Sequence, residues 1–344
     1  MEGLLSWNRN TNKRTMPWKG EKNPYKIWIS EIILQQTRVQ QGLAYYHKFI
    51  HSFPDVKTLA EAPEQKILKH WEGLGYYTRC RNLIATAKYI HTELHGKFPA
   101  KYEDLLDLKG IGTYTASAIA SFAFNLPYAV LDGNVFRILS RFFGIATPLD
   151  TAGGKKIFSK LAKELLDKKN PAEYNQAIMD FGATVCKPSQ PLCEKCPFQL
   201  KCIAFKKGII NSLPVKKKRV KQRQRFFTYL IIEHAGSFYI HKRTAKDIWQ
   251  GLYEFILIES SRMLPMDQLQ KTEEFLAIIS GNEFRVTGSS KAFIQKISHQ
   301  IITGKFFHIH TKYPLVNGKQ YRLTSKSKLN LLPFPKFIAS YLKD

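Results

Sequence analysis

The stretch Leu108-Lys109-Gly110-Ile111-Gly112-Thr113-Tyr114-Thr115-Ala116, followed by Val130-Leu131-Asp132-Gly133-Asn134-Val135, decides the reading of this chain. Two glycines around one aliphatic residue predict a tight hairpin, and Ala116-Ser117-Ala118-Ile119-Ala120-Ser121 reads as the start of a helix. Glycine brings backbone N–H groups close to a ligand, and a helix N-terminus behind them favours negative charge. That geometry suits a nucleic-acid phosphate. Asp132 lies just downstream, between apolar flanks that are expected to bury it. On these residues alone, an ordinary helical turn followed by a turn-forming Asp-Gly is an equally good reading.

Working outward, 53 Lys and Arg against 27 Asp and Glu give 344 residues a net charge of +26, which favours a polyanionic partner. Nucleic acid is expected ahead of a membrane, since no amphipathic anchor and no run of transmembrane length is found. The length allows two domains with proper cores. Met1-Glu2-Gly3-Leu4-Leu5 lacks the basic and apolar regions of a signal peptide, so a reducing cytoplasm is expected. There, clustered thiols point to metal rather than disulfides. Cys186, Cys193, Cys196 and Cys202 form a Cys-x6-Cys-x2-Cys-x5-Cys run, whereas Cys80 stands alone and reads as a buried thiol. Four thiolates suit zinc or an iron–sulfur cluster. The wide outer spacing favours the bulkier cluster.

Residues 1–205 read as helical, with segments at about 24–52, 57–71, 78–95, 101–108, 113–124, 133–143, 153–168 and 173–183. Asn23-Pro24 is a helix start: a capping side chain, then proline at the first helical position. Residues 206–225 carry nine Lys or Arg and no Asp or Glu, as expected of a basic linker. From Phe226 the pattern turns to β-rich runs at 227–232, 237–241, 255–258, 306–310 and 320–323, with helices expected at 266–279 and 334–342. The expected fold is therefore multidomain, an all-α domain with a cysteine loop at 186–202 and an α+β domain at 226–344.

Glu31 shares a helix face with Ile27 and Leu34. A carboxylate on an apolar face has a raised pKa, which makes it a candidate general acid. With Asp132 it supplies the two carboxylates that cleavage of a glycosidic bond needs. A base inside a duplex must be extruded before such chemistry, and Gln36 and Tyr76 stand at turns from which they could wedge into the stack. The pairs His47/His51 and His91/His95 have i,i+4 spacing but lack the glutamate and third ligand of a zinc hydrolase, and read as helix-surface residues.

Taken in order, Pro17-Trp18, Ser30-Glu31, Gln35-Gln36-Thr37, Gly73-Leu74-Gly75-Tyr76-Tyr77, Gly110-Ile111-Gly112, Leu131-Asp132-Gly133-Asn134 and the cysteine run resemble the helix-hairpin-helix, iron–sulfur DNA glycosylases. Within them the chain is similar to the MutY family of adenine glycosylases, which act on adenine opposite 8-oxoguanine. The resemblance implies base excision repair and a double-stranded DNA partner containing A opposite 8-oxoguanine or G. It implies that Glu31 protonates adenine N7, and that Asp132 stabilises the sugar cation or a covalent intermediate, supported by Tyr114 and Asn134. Arg14, Trp18, Leu34, Val39 and Gln176 would line the adenine pocket. Gln36, Thr37, Leu74 and Tyr76 would hold the orphaned 8-oxoguanine, and Gly110 and Gly112 the DNA backbone. A 4Fe–4S cluster on the four clustered cysteines is implied as well. A monomer, associated with the nucleoid in the cytoplasm, is expected.

The second domain resembles the MutT/Nudix-like domain of the same family, through Trp249-Gln250-Gly251-Leu252-Tyr253-Glu254-Phe255. The acidic metal-binding helix of a Nudix hydrolase, with its R-E-x-x-E-E core, is absent, so 8-oxoguanine recognition is the expected role. Ile297-Ser298-His299 falls where the family reads 8-oxoguanine with Phe-Ser-His; Ile replaces Phe, and Ser298 and His299 would keep the contact. A bifunctional glycosylase/lyase of the endonuclease III type would carry its lysine two residues after the second hairpin glycine, where Tyr114 stands here. A DNA-binding module without catalysis is the other alternative, and the intact Glu31 and Asp132 oppose it.

Overall fold

The computed structural model describes residues 3–215, 222–297, 299–316 and 320–343. The chain divides into two compact units, one of residues 1–61 and 81–218, the other of residues 62–80 and 219–344. The second unit thus takes in a segment that the sequence pattern assigns to the helical domain.

The helices of the N-terminal half are α1 (Gly3–Asn10), α2 (Pro24–Leu34), α3 (Val39–Ser52), α4 (Val56–Glu61), α5 (Glu64–His70), α6 (Tyr77–Thr92), α7 (Tyr102–Leu106), α8 (Thr113–Phe124), α9 (Gly133–Phe143), α10 (Ala152–Leu165), α11 (Pro171–Thr184) and α12 (Ile203–Lys206). The Asn23 carboxamide caps α2, accepting from the N–H groups of Tyr25 and Lys26. The long helix expected over 24–52 is two helices. Gln36 takes a left-handed backbone conformation (φ 61°) that no helix can continue through. The segment 57–71 likewise breaks at Pro63, which caps α5. Helix α1 was not expected; it lays Leu4 and Trp7 into the core built by α9, α10 and α11, where Phe136, Phe158 and Phe181 meet.

Helices α7 and α8 form the hairpin pair. Gly110 sits at φ +82° against Asn82, whose Cβ lies 2.7 Å from where a side chain would begin, so any other residue is both strained and blocked. Gly112, having no side chain, caps α8 without a side-chain bond to its first-turn N–H groups.

The second unit is built on a mixed sheet of β1 (Arg223–His234), β2 (Ser237–Lys242), β3 (Tyr253–Ser260), β4 (Phe284–Ser289), β5 (Phe293–Ile297), β6 (Gln300–Thr311) and β7 (Arg322–Ser325). Strand order is β4-β6-β1-β3-β2-β7, with β5 paired to β6. The long β1–β6 pairing is parallel and the others are antiparallel. Helices α13 (Met266–Leu269), α14 (Glu273–Ile279), α15 (Lys326–Leu329) and α16 (Lys336–Tyr341) complete it. The α+β expectation holds, although β4 and β5 carry no long apolar run and were not expected. Arg225, assigned by charge to the linker, is a buried residue of β1, with Glu259 at 2.6 Å and Asp247 at 2.9 Å. No helix among the described residues is long and apolar enough to cross a membrane.

Candidate active site

Helices α2, α8, α9 and α11 bring their functional side chains around one cavity of about 370 Å³. Glu31, Tyr114, Asp132 and Asn134 line it, together with Arg14, Trp18, Leu34, Val39, Gln176, Gln36 and Thr37. The two carboxyl residues lie 101 positions apart in sequence and share this space because α8 packs on both α2 and α11, and α11 on α9.

Glu31 is 5% exposed. Desolvation pushes its pKa up to about 7, and the charge of Asp132 adds to the rise. The Tyr114 hydroxyl, donating to Glu31 Oε2 at 2.6 Å, opposes it. Burial beside two carboxyl groups holds the Tyr114 hydroxyl itself well above the ordinary phenol value.

Asp132 is the N-cap of α9. Its Oδ1 accepts from the N–H groups of Asn134 (2.8 Å) and Val135 (2.7 Å), and its Oδ2 from the Asn134 side-chain amide (2.7 Å). Burial raises the Asp132 pKa, against these bonds and the Arg137 charge. The helix N-terminus favours its ionised form. Asp132 is therefore both a structural cap and a carboxyl group fixed in place at the cavity wall.

Arg137 was not found by sequence reasoning. One turn beyond Asn134, its guanidinium donates to Asn134 Oδ1 (2.8 Å), to the Gly182 carbonyl (2.7 Å) and to the Cys186 carbonyl (2.7 Å). Gly182 makes this approach possible, since a Cβ there would lie 2.6 Å from Asn134 Cβ. Arg137 thereby ties the cysteine loop to the residue that orients Asp132. A basic residue four positions before Arg141 on an otherwise apolar helix is the only sequence signal for it.

Cys186, Cys193, Cys196 and Cys202 line a single apolar cavity with Arg141, Leu192 and Phe205. Arg141 donates to the Cys186 sulfur at 3.5 Å and to the Lys187 carbonyl at 2.7 Å. Among the described residues, no three metal-binding side chains converge on one ion. Four thiols around a shared cavity fit a multi-iron group better than a single zinc ion.

Tyr76, like Gln36, has a left-handed backbone (φ 48°), and the residue is 47% exposed. Both wedge candidates therefore sit in conformations unfavourable for a side-chain-bearing residue, as is frequent at functional sites. Leu74 differs, being buried at 7% exposure. His299 is exposed at the tip of the β5–β6 hairpin, its carbonyl accepting from the Arg223 N–H at 3.0 Å. Ser298 lies outside the described residues.

Residues 29–165 match the HhH-GPD superfamily of base excision DNA repair proteins, and residues 228–344 match a NUDIX domain. An adenine DNA glycosylase of Buchnera aphidicola from Schizaphis graminum is 36% identical, covering 94% of this chain and 89% of its own. The chain belongs to the MutY adenine DNA glycosylase family. Another adenine DNA glycosylase, of Buchnera aphidicola from Baizongia pistaciae, is 38% identical over 73% of this chain and 72% of its own. The solved structure of a thermostable thymine-DNA glycosylase is similar at a TM-score of 0.55 and 29% identity, covering 60% of this chain and 94% of that one. As a member of the family, this chain is a DNA N-glycosylase of base excision repair, with a helix-hairpin-helix domain and a Nudix-like domain.

Proposed function

We propose that this protein excises adenine mispaired with 8-oxoguanine, or with guanine, by hydrolysing the N-glycosidic bond of a flipped nucleotide and leaving the strand uncut. The observation that carries the reading is the single cavity shared by Glu31, near neutral in pKa, and Asp132, held by three N–H donors. The names borne by its relatives support adenine as the base.

In this reading Glu31 gives its proton to adenine N7, and the C1′–N9 bonding pair leaves with the base. A pKa near 7 keeps much of Glu31 in the acid form at neutral pH. The Asp132 carboxylate stabilises the oxocarbenium-like sugar or captures it covalently. Water then adds to C1′ and returns a proton to Glu31. Tyr114 holds Glu31 and Asn134 holds Asp132, while Arg14, Trp18, Leu34, Val39 and Gln176 enclose the base.

The uncapped first turn of α8 behind Gly110 and Gly112 binds a DNA phosphate. Gln36, Thr37, Leu74 and Tyr76 are assigned to holding the orphaned 8-oxoguanine, and Ser298 and His299 to reading the lesion. The four clustered cysteines hold a 4Fe–4S group that braces the loop. The protein acts as a monomer on double-stranded DNA, which its charge of +26 favours.

No lysine lines the cavity among the described residues, so the amine that a Schiff-base lyase needs is missing. The test is incubation with a duplex holding A opposite 8-oxoguanine, followed by electrophoresis with and without alkali. Strand breaks only after alkali are expected; efficient breakage without it overturns the monofunctional reading.

A further inference from the structure

Asp180 stands on α11 one turn beyond Gln176, fully buried behind the cavity wall. Its carboxylate takes four donors. Arg14 Nη1 (2.8 Å) and Gln176 Nε2 (2.9 Å) reach Oδ1, and Asn12 Nδ2 (2.8 Å) and Lys19 Nζ (2.9 Å) reach Oδ2. Of these partners, Arg14 and Gln176 line the cavity, whereas Asp180 does not.

A carboxylate flanked by two cations only accepts hydrogen bonds, so Gln176 must turn its NH2 toward Asp180. Its amide oxygen is then the polar atom left for the cavity. Turning the amide over would set Oε1 against a carboxylate oxygen at hydrogen-bond distance, acceptor against acceptor in a buried place. The same carboxylate engages Nη1 of Arg14, among the described residues the one cationic side chain lining the cavity. An amide acceptor is thus offered to the cavity.

We propose that Asp180 is a positioning residue that sets purine selectivity, fixing the Gln176 amide with its oxygen toward the cavity so that a 6-amino purine is accepted and a 6-oxo purine refused. This rests on the reading of the cavity as an adenine site. The exocyclic amine of adenine donates to Gln176 Oε1. Hypoxanthine and guanine present a carbonyl oxygen at the same place, and neither orientation of the amide then satisfies both Asp180 and the base. A site whose buried polar groups are left unpaired by the wrong substrate discriminates by on the order of 10⁴-fold or more.

The experiment measures single-turnover excision of adenine and of hypoxanthine, each opposite 8-oxoguanine in the same duplex, by the full chain and by Asp180→Asn, Gln176→Leu and the double variant. The asparagine amide can face Gln176 with either group, which frees the glutamine to turn. The adenine-to-hypoxanthine rate ratio is expected to fall at least ~10-fold in Asp180→Asn and in Gln176→Leu, with no further fall when the two are combined. Equal loss of both rates in Asp180→Asn would mean that the residue only supports the fold, and would overturn the proposal. So would an additive fall in the double variant. Should Asp180→Asn fail to fold, Gln176→Leu decides alone, and an unchanged ratio there contradicts the proposal. Failure of the wild type to excise adenine at all would instead remove the functional reading beneath it.

Discussion

The Tyr114 hydroxyl donates to Glu31 Oε2 at 2.6 Å, joining the hairpin helix α8 to the acid carried by α2. The bond lowers the Glu31 pKa against the larger effect of burial. Removing it in Tyr114→Phe should move the pKa of Glu31 further up. Because the protonated carboxyl is the active form, the alkaline limb of the pH–rate profile should shift to higher pH. A profile that keeps its position and loses only amplitude would show that Tyr114 orients Glu31 without tuning it.

Glu31→Gln should abolish excision while leaving duplex binding largely intact, since the amide keeps the shape and loses the transferable proton. The same variant has a stability signature. The folded state holds the Glu31 proton up to about pH 7, whereas an ordinary glutamate releases it near 4.5. The folded state therefore binds more protons across that window, and stability falls as pH rises through it. The full penalty is about 3 kcal/mol, from 1.36 kcal/mol per pKa unit. Glu31→Gln escapes it, and should be the more stable protein at pH 8 by up to that amount, with the difference vanishing below pH 4.5. Denaturant melts at the two pH values check this, and equal stabilities at pH 8 would place Glu31 in contact with water.

Arg137→Gln should loosen the Asp132 centre from behind. The substitution deletes donors to the Cys186 and Gly182 carbonyls and to Asn134 Oδ1 together. Buried charge-assisted bonds of this kind are worth about 1.5–3 kcal/mol each, although not additively. A loss of several degrees in Tm is expected, with a larger fall in excision rate than in duplex affinity. An unchanged rate in a folded variant would show that Asn134 holds Asp132 without help from Arg137.

Purified protein should be brown, with a thiolate-to-iron absorption band that is lost in Cys196→Ala. A colourless protein containing one zinc ion would contradict the cluster.

Much of the site was legible because its chemistry depends on local pattern. The hairpin glycines and the Asn23-Pro24 start each act within a few residues. The convergence of Glu31 and Asp132 could be expected only from the resemblance, because the packing of α8 on α2 and α11 on α9 leaves no local signature. Gln36 reads as a turn residue, yet the helical pattern runs on through 24–52, because neither glycine nor proline marks the break; the left-handed turn is imposed by the fold. Asp180 reads in sequence as an ordinary helical aspartate. Only its place four residues after Gln176 hints at the contact. The segment 62–80 follows the helical pattern, yet its partners lie far along the chain, as where Lys69 Nζ donates to the Leu332 carbonyl at 3.0 Å.

The central claim is that the Glu31–Asp132 cavity excises adenine from its mispair with 8-oxoguanine. Single-turnover incubation with three duplexes, holding A opposite 8-oxoguanine, A opposite G and thymine glycol opposite A, tests it most directly. Excision of adenine from the first two and none of thymine glycol is the expected result; removal of thymine glycol with adenine left in place would contradict it.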